Sequence, residues 1–150
     1  EAGVILQDLQ ETVNKSGLRF PLTLGGKGSA TIGGLGSTNA GGTQVLRHGT
    51  MRAQVLGLEA VLANGQIFNG LTALKKDNRG FDLKQLLIGS EGTLGIVTAV
   101  NVRVLPEIED RVVIWASMKS IQQARQLLLF FQKEMMHQEI HHHQIEQYQY

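Results

Sequence analysis

A glycine-rich run near the start of the chain constrains its fold more than any other feature of the sequence. Residues 28–42 read GSATIGGLGSTNAGG and hold six glycines, with too little side-chain bulk to build a hydrophobic core. Glycine lacks Cβ, so its backbone can approach another group closely, and successive free N–H groups form a concave surface that suits phosphate oxygens. Hydrogen-bonding groups without bulk come from Ser29, Thr31, Ser37, Thr38 and Asn39. The run indicates either a cradle for a polar cofactor or a tight surface loop between strands.

A second glycine-rich turn, GSEGTLG at residues 89–95, leads directly into a predicted strand. Because both segments lie beside strands, the fold can bring them together on one elongated ligand. Neither fits a standard motif: Gly28 follows Lys27 where a P-loop needs Ser or Thr, and Asn39 stands where a Rossmann fingerprint needs its third glycine. Ser90 also lacks the glycine two positions earlier that an α/β-hydrolase nucleophile requires. The sequence therefore gives no motif support for a P-loop kinase, a nicotinamide dehydrogenase or an α/β-hydrolase esterase.

Composition and charge exclude further classes of protein. The chain has 150 residues, 42% of them hydrophobic, and a net charge of +1, which predicts a globular domain and gives no electrostatic reason to expect nucleic acid or an anionic membrane as a partner. No apolar run approaches the ~20 residues of a membrane span. Cysteine is absent, which excludes disulfides and thiol chemistry and fits a cytoplasmic location. The start at Glu1, without Met or a signal sequence, leads us to expect a piece of a longer protein.

The first half of the chain is predicted to mix helix and strand. Apolar residues at helical spacing predict a helix over residues 4–15, and Gly17 is placed to end it. The short extended piece that follows contains Pro21, which argues against a central strand. Residues 54–63 are predicted to form a strand that turns at the Asn-Gly pair 64–65 into a second, antiparallel strand.

The second half continues this mixture. Residues 72–82 are predicted to be a polar loop before one or two helical turns, and a strand over residues 96–104 is predicted to end at Pro106. One face of that strand is predicted to carry Ile96, Thr98, Val100, Val102 and Val104. A further strand is predicted over residues 111–117, and Ser120 is predicted to cap the next helix. The shared apolar face of that helix comprises Ile121, Ala124, Leu127, Leu128, Phe131 and Met135.

Three segments in sequence order resemble one family. They are the glycine run at 28–42, GTMRAQVLGLEAVLANGQIF at 49–68, and KKDNRGFDLKQLLIGSEGTLGIVTAVNVRVLP at 75–106. Over roughly residues 1–133 the chain is similar to the second half of the FAD-binding domain of FAD-linked oxidases, the vanillyl-alcohol oxidase (PCMH-type) superfamily. Within it the chain most resembles D-lactate dehydrogenase, the FAD subunit of glycolate oxidase and D-2-hydroxyglutarate dehydrogenase.

The resemblance implies a fold and a division of the chain. The expected class is α+β: the second subdomain of a PCMH-type FAD-binding fold, with a mainly antiparallel sheet flanked by helices. Residues 1–108 are expected to be the C-terminal part of the FAD-binding domain and residues 109–136 the start of the substrate domain. Residues 137–150 are expected to be an irregular tail rich in His and Gln. The family's first subdomain, with another glycine-rich loop, has no counterpart in this sequence.

The resemblance also implies a cofactor, FAD, and a reaction: oxidation of a small 2-hydroxy acid by hydride transfer to the flavin, with the electron acceptor left open. The positions that match the family's FAD contacts are Gly26, Thr31, Gly34, Thr38, Asn39, Ala40, Gly41, Glu91, Gly92, Gly95 and Ile96. The family's base and most substrate contacts lie in its substrate domain, so no catalytic residue is assigned here. The alternative is a truncated or non-catalytic nucleotide-binding module without redox activity of its own.

A few other side chains invite a functional interpretation. His48, Arg52 and Arg79 could face a ligand, but an exposed or structural role is favoured for each. Trp115 is predicted to lie in a core or an interface. His137 and His141 have the helical spacing of a zinc pair, but the His-rich tail is interpreted as incidental, and no metal site is predicted.

Overall fold

Two units make up the chain, Glu1–Glu109 and Asp110–Tyr150. The computed structural model describes residues 1–72, 74, 80–108, 110, 113 and 115–147, with side chains as far as residue 134. The helices of the first unit are α1 (Leu6–Asn14), α2 (Ile32–Ser37), α3 (Val45–His48), α4 (Met51–Gln54) and α5 (Lys84–Leu87). Its strands are β1 (Leu18–Arg19), β2 (Val55–Leu62), β3 (Ile67–Gly70), β4 (Gly95–Val102) and β5 (Leu105–Pro106). The second unit contains α6 (Ile121–Gln147).

A three-stranded antiparallel sheet in the order β3-β2-β4 organises the first unit. The predicted hairpin is confirmed: β2 and β3 pair from Leu58 opposite Gly70 to Val61 opposite Ile67, and Gly65 in the turn has φ 81°. Glycine adopts this left-handed conformation without the steric cost that a Cβ would add. A separate two-stranded sheet pairs β1 with β5, and Pro21 lies beyond the end of β1, as predicted.

The predicted single face of the long strand is wrong because β4 contains a bulge. Ala99 pairs with Glu59, but the next residue of β2 pairs with Val97, so Thr98 is an extra residue in β4. Before the bulge Val97 is buried while Ile96 is 64% exposed; after it Val100 packs on the core. Strand alternation has a period of two, so one inserted residue exchanges the inward and outward faces.

The core of the first unit lies between this sheet and the helices α1 and α2. The predicted first helix is confirmed as α1, and Gly17, with φ 67°, donates its N–H to the carbonyl of Asn14 (3.0 Å) just past its end. Buried apolar side chains from both sides form one cluster, which makes the sheet and the glycine-rich run parts of the same packing unit. The cluster comprises Leu6, Phe20, Leu22, Ile32, Leu35, Met51, Val55, Leu58, Ala60, Leu87 and Ile88.

The second unit departs from its prediction at both ends. Residues 113 and 115–117 are not in a strand, while the rest of the predicted strand at 111–117 lies outside the described residues. Trp115 was predicted to lie in a core or an interface; it is 94% exposed, which excludes the core, and the interface stays a prediction. Ser120 caps α6 as predicted, accepting from the N–H of Gln123 (3.3 Å). Where an irregular tail was expected from residue 137, the backbone stays helical through Gln147.

In the apolar face predicted for the last helix, Leu127 is half-buried, and the other members with described side chains are exposed, as at Ile121 and Leu128. Within the described ranges, no helix is both long and apolar enough to cross a bilayer.

Candidate functional site

The glycine-rich run is not entirely a loop, because Ile32–Ser37 within it form helix α2. Thr31 caps the helix: its Oγ1 accepts from the N–H of Gly34 (3.2 Å). Ile32 and Leu35 are one turn apart and are both buried in the core, so the helix has an anchored face despite its glycines. The sequence interpretation of a continuous loop is corrected accordingly.

The N-terminal segment of the chain holds the start of α2 against the sheet. The N–H of Ile32 donates to the carbonyl of Val4 (2.9 Å), and the N–H of Gly33 donates to the carbonyl of Ala2 (2.8 Å). Ala2 in turn donates its N–H to the carbonyl of Thr98 in β4 (2.9 Å). The first N–H groups of α2 are therefore used within the protein, and the helix start is not an open cradle for an anion.

The two glycine-rich segments meet, as the sequence predicted they could. The N–H of Gly89 donates to the carbonyl of Gly36 (3.1 Å), and the N–H of Glu91 donates to the carbonyl of Ser37 (2.9 Å). These bonds join the turn before β4 to the C-terminal end of α2. In the turn, φ is 83° at Gly89, 52° at Glu91 and 80° at Gly92. This left-handed conformation favours glycine, which occupies two of the three positions.

An open cleft of about 280 Å³ lies between the N-terminal segment, α2 and the start of β4. Its lining residues are Ala2, Gly3, Thr31, Gly33, Gly34, Ser37, Ile96 and Val97. Three predicted contact residues are thus together: Thr31, Gly34 and Ile96. Gly92 is adjacent, because a Cβ at that position would lie 3.8 Å from Ile96 Cδ1.

Three further predicted positions follow α2 and have contacts within the fold. Thr38 donates its hydroxyl to the carbonyl of Gly34 (2.9 Å). Asn39 has φ 49°, and its Oδ1 accepts from the backbone N–H of Arg52 (3.0 Å). Ala40 accepts the N–H of Met51 (2.8 Å) at its carbonyl. These residues fix the chain between α2 and α4, and their contact with a ligand stays a prediction.

Another three predicted positions, Gly26, Gly41 and Gly95, are not among the residues that line the cleft. Gly26 is exposed in the turn at 25–29, and its carbonyl accepts the N–H groups of Ser29 and Ala30. Gly41 is exposed beyond Ala40. Gly95 is buried, and a Cβ there would lie 2.9 Å from the carbonyl oxygen of Val61, so strand packing alone accounts for its lack of a side chain.

Sequence reasoning missed four residues of the cleft: Ala2, Gly3, Gly33 and Val97. Ala2 reaches it through backbone hydrogen bonds, which leave no signal in side-chain chemistry, and Gly3 follows Ala2 in the chain. Val97 reaches it because of the bulge at Thr98. Gly33 lies inside the glycine run. Close packing against Ala2 requires glycine at this position, because a Cβ there would lie 2.5 Å from the Cβ of Ala2. Ser37 belonged to the hydroxyl groups noted in the run, and its helical position brings it to the cleft.

The site offers neutral hydrogen-bond donors rather than charge. Thr31 accepts at its Oγ1 and donates its hydroxyl to none of the described residues. The N–H groups of Gly41 and Gly92 have no acceptor in the part of the chain that the structure describes. Ser90 Oγ, in the second glycine turn, is buried without a partner among the described residues. Unused donors beside glycines fit a ligand rich in carbonyl and phosphate oxygens.

The other side chains singled out in the sequence take structural roles or lie outside the description. Arg52 is bonded within the fold through Gln85 and Ile88, which agrees with the structural role favoured for it. The carbonyl of His48 accepts the side-chain amide of Gln54. Arg79 and the side chains of His137 and His141 lie outside the described residues. Across the described residues, no three His, Asp or Glu side chains are grouped to hold a metal ion.

Thr31→Val is expected to lower the free energy of unfolding of the first unit by about 1 kcal/mol, because the cap of α2 is lost at nearly constant side-chain shape. Urea unfolding followed by the amide NMR signals of β2 and β4 measures the change. Thr43→Val is the matched control, since Thr43 is exposed and its hydroxyl makes no bond among the described residues. An equal loss in both variants would show that the cap contributes nothing specific.

Comparison with known proteins places this geometry in context. Residues 1–70 match the model of the FAD binding domain family. The chain is 56% identical over 107 residues to the mitochondrial D-2-hydroxyglutarate dehydrogenase of Bos taurus, covering 71% of this chain and 20% of that protein. It is 48% identical over 102 residues to a putative mitochondrial D-lactate dehydrogenase of Schizosaccharomyces pombe, covering 68% of this chain and 19% of that protein.

Among solved structures, alkyldihydroxyacetonephosphate synthase is similar with a TM-score of 0.60 at 25% identity. The similarity covers 71% of this chain and 20% of the synthase. The chain therefore spans about a fifth of the length of the proteins it matches, at 20% of the bovine dehydrogenase and 19% of the yeast protein.

Proposed function

We propose that the cleft and the two joined glycine segments of this chain form one wall of the flavin site of a 2-hydroxy acid oxidoreductase. The proposal starts from the match of residues 1–70 to the FAD binding domain family. The resemblance seen in the sequence, the α+β fold and FAD as the cofactor are confirmed. The reaction is proposed because two similar proteins are named D-2-hydroxyglutarate dehydrogenase and D-lactate dehydrogenase, both of which act on small 2-hydroxy acids.

One observation supports this site above all: the backbone bonds from Gly89 to Gly36 and from Glu91 to Ser37 join the two glycine segments next to the cleft. A long cofactor such as FAD needs contacts spread over more than one segment. A surface loop of ordinary function has no need for two glycine-rich segments fixed to each other. The geometry is that expected of a preformed cofactor wall.

The residues that would hold FAD supply hydrogen bonds and space. Thr31 has a hydroxyl proton to donate, and the N–H groups of Gly41 and Gly92 are unused within the described structure. Gly34 is exposed at the cleft and admits a ligand close to the backbone of α2. Ile96 presents an apolar side chain, 64% exposed, against which a flat ring could pack. Thr38, Asn39, Ala40, Gly26, Glu91 and Gly95 remain proposed contacts.

Bound FAD supplies the chemistry of the reaction, since a flavin accepts the hydride of an oxidised alcohol. The cleft itself contributes binding and no acid–base chemistry, because none of its eight lining residues carries a titratable side chain. The base that removes the hydroxyl proton and the cation that binds the substrate carboxylate are therefore proposed to lie outside the cleft.

A nucleotide-binding module without redox activity is the second candidate, favoured by the absence of acid–base groups in the cleft. The electron acceptor stays open under either proposal. The compartment is also a proposal: lack of cysteine supports the cytoplasm, while the two similar proteins carry the word mitochondrial in their names.

The test is an FAD titration of the purified chain, followed by the visible absorption and fluorescence of the flavin. We expect weak binding with a perturbed flavin band, because the chain spans about a fifth of the proteins it matches. ADP and FMN serve as competitors. Binding of ADP as tight as that of FAD would favour the nucleotide module, and no saturable signal with FAD at any concentration would overturn the proposed flavin wall.

A further inference from the structure

Arg52 is bonded both to the first glycine-rich segment and to the residues directly before the second. Its backbone N–H donates to Oδ1 of Asn39 (3.0 Å), just beyond the end of α2. Its guanidinium reaches the other way, where Nη1 donates to the carbonyl oxygen (2.6 Å) and to Oε1 (2.9 Å) of Gln85, and Nη2 donates to the carbonyl of Ile88. The residue thus connects the chain after α2 with the end of α5, directly before the second glycine turn.

The guanidinium also packs against the turn itself. A Cβ at Gly89 would lie 3.1 Å from Nη2 of Arg52 and 3.3 Å from Cβ of Asn39. Gly89 is the residue whose N–H bonds to the carbonyl of Gly36. Only the absence of a side chain lets the turn sit between Arg52 and Asn39 while that bond forms.

Charge pairing does not explain this residue. Among the described residues no carboxylate lies within ion-pair distance of Arg52; Asp82 near α5 pairs instead with Lys84 (2.6 Å). Three of the five guanidinium donors are instead used by uncharged oxygens at the C-terminal end of α5. Two of the three are backbone carbonyls of the kind that a helix end leaves without partners, and a planar fork can reach both together, as an ammonium group cannot.

We propose that Arg52 is the positioning residue of the flavin wall: it holds the second glycine turn in register with the end of α2. This inference rests on the proposed function for its consequence, since a displaced turn would move Glu91 and Gly92 away from the cleft. The positional part stands on the described contacts alone. Arg52 acts through Gly89 and does not itself line the cleft.

The positional part is tested without any ligand by amide hydrogen exchange of the full chain. In Arg52→Lys and Arg52→Gln we expect exchange at the N–H groups of Gly89 and Glu91 to become at least about tenfold faster, because their bonds to α2 open more often. The amides of β2 and β4 report whether the unit is still folded. Arg103→Gln is the control, since Arg103 is exposed and its side chain makes no bond among the described residues.

Unchanged exchange at Gly89 and Glu91 in a folded Arg52→Lys variant would overturn the proposal. Equal acceleration at these amides and across β2 and β4 would also overturn it, because Arg52 would then be a general stabilising residue. If Arg52→Gln does not fold, Arg52→Lys decides the result, since it keeps the charge and loses only the fork.

The consequence for the cofactor is measured separately by FAD titration of the same variants. A dissociation constant at least about tenfold higher in Arg52→Lys, with Arg103→Gln unchanged, is expected if the turn contacts the flavin. Faster exchange together with unchanged FAD affinity would contradict the flavin wall at this turn while leaving the positioning role intact. Failure of the proposed function and failure of this inference are therefore distinguishable.

Discussion

Gly33→Ala is expected to destabilise the first unit by about 2 kcal/mol, the cost of forcing a methyl group into a site without room for it. The new Cβ would lie 2.5 Å from the Cβ of Ala2 and 3.1 Å from its carbonyl oxygen. That carbonyl accepts the N–H of Gly33, so the N-terminal segment cannot move away without breaking the bond (2.8 Å) and the attachment of α2 to β4 through Ala2.

Gly36→Ala is the matched control, because Gly36 lies in the same helix and a Cβ there meets nothing within 4 Å. In a helix, alanine is favoured over glycine by about 1 kcal/mol, so this variant is expected to be neutral or stabilising. Urea unfolding monitored by the amide signals of β2 and β4 compares the two. A similar loss of stability in both variants would show that the small residues of α2 are needed for backbone freedom and not for contact with Ala2.

The sequence correctly predicted the turns and helix ends whose conformation is set by residues close together in the chain. The hairpin at Gly65, the end of α1 at Gly17 and the cap of α6 at Ser120 each follow from one residue whose conformational preference suits its place. The predicted meeting of the glycine segments also holds, because both lie next to elements of one packing unit.

Elements that depend on distant contacts were predicted less well. Helix α2 has three glycines in six residues, and its propensity is poor. It forms because Ile32 and Leu35 enter the core and because the carbonyls of Ala2 and Val4 accept its first N–H groups. None of these interactions is visible in the run itself, so a loop was the natural prediction.

The bulge in β4 has the same origin. Apolar residues alternate regularly in the sequence of this strand. In the pairing with β2, however, Thr98 is an extra residue, and Ile96 is exposed at the cleft. Thr98 donates its hydroxyl to Oε1 of Glu59 on β2 (2.7 Å), and its carbonyl accepts the N–H of Ala2. Thr98 thus anchors the N-terminal segment beside the cleft. This contact explains why Ala2 and Gly3 line the cleft although no sequence pattern indicated it.

Gly3→Phe is expected to raise the dissociation constant for FAD about a hundredfold, or about 2.7 kcal/mol, because it fills the proposed site with a side chain that the fold accommodates. Gly3 lines the cleft and is exposed, and a Cβ there meets nothing within 4 Å. The urea midpoint is therefore expected to stay near that of the unmodified chain, which separates a blocked site from an unfolded one.

Two variants control for this substitution. Gly3→Ala adds a methyl group in open space and is expected to bind FAD nearly as the unmodified chain does. Ala63→Phe places the same ring at the exposed start of the β2–β3 turn, away from the cleft residues, and tests for non-specific effects of an aromatic side chain. If Gly3→Phe and Ala63→Phe bind FAD equally well, the flavin does not occupy this cleft. If only Gly3→Phe loses FAD, the N-terminal segment that the sequence left unassigned is part of the flavin site, because no other described contact of Gly3 would account for the loss.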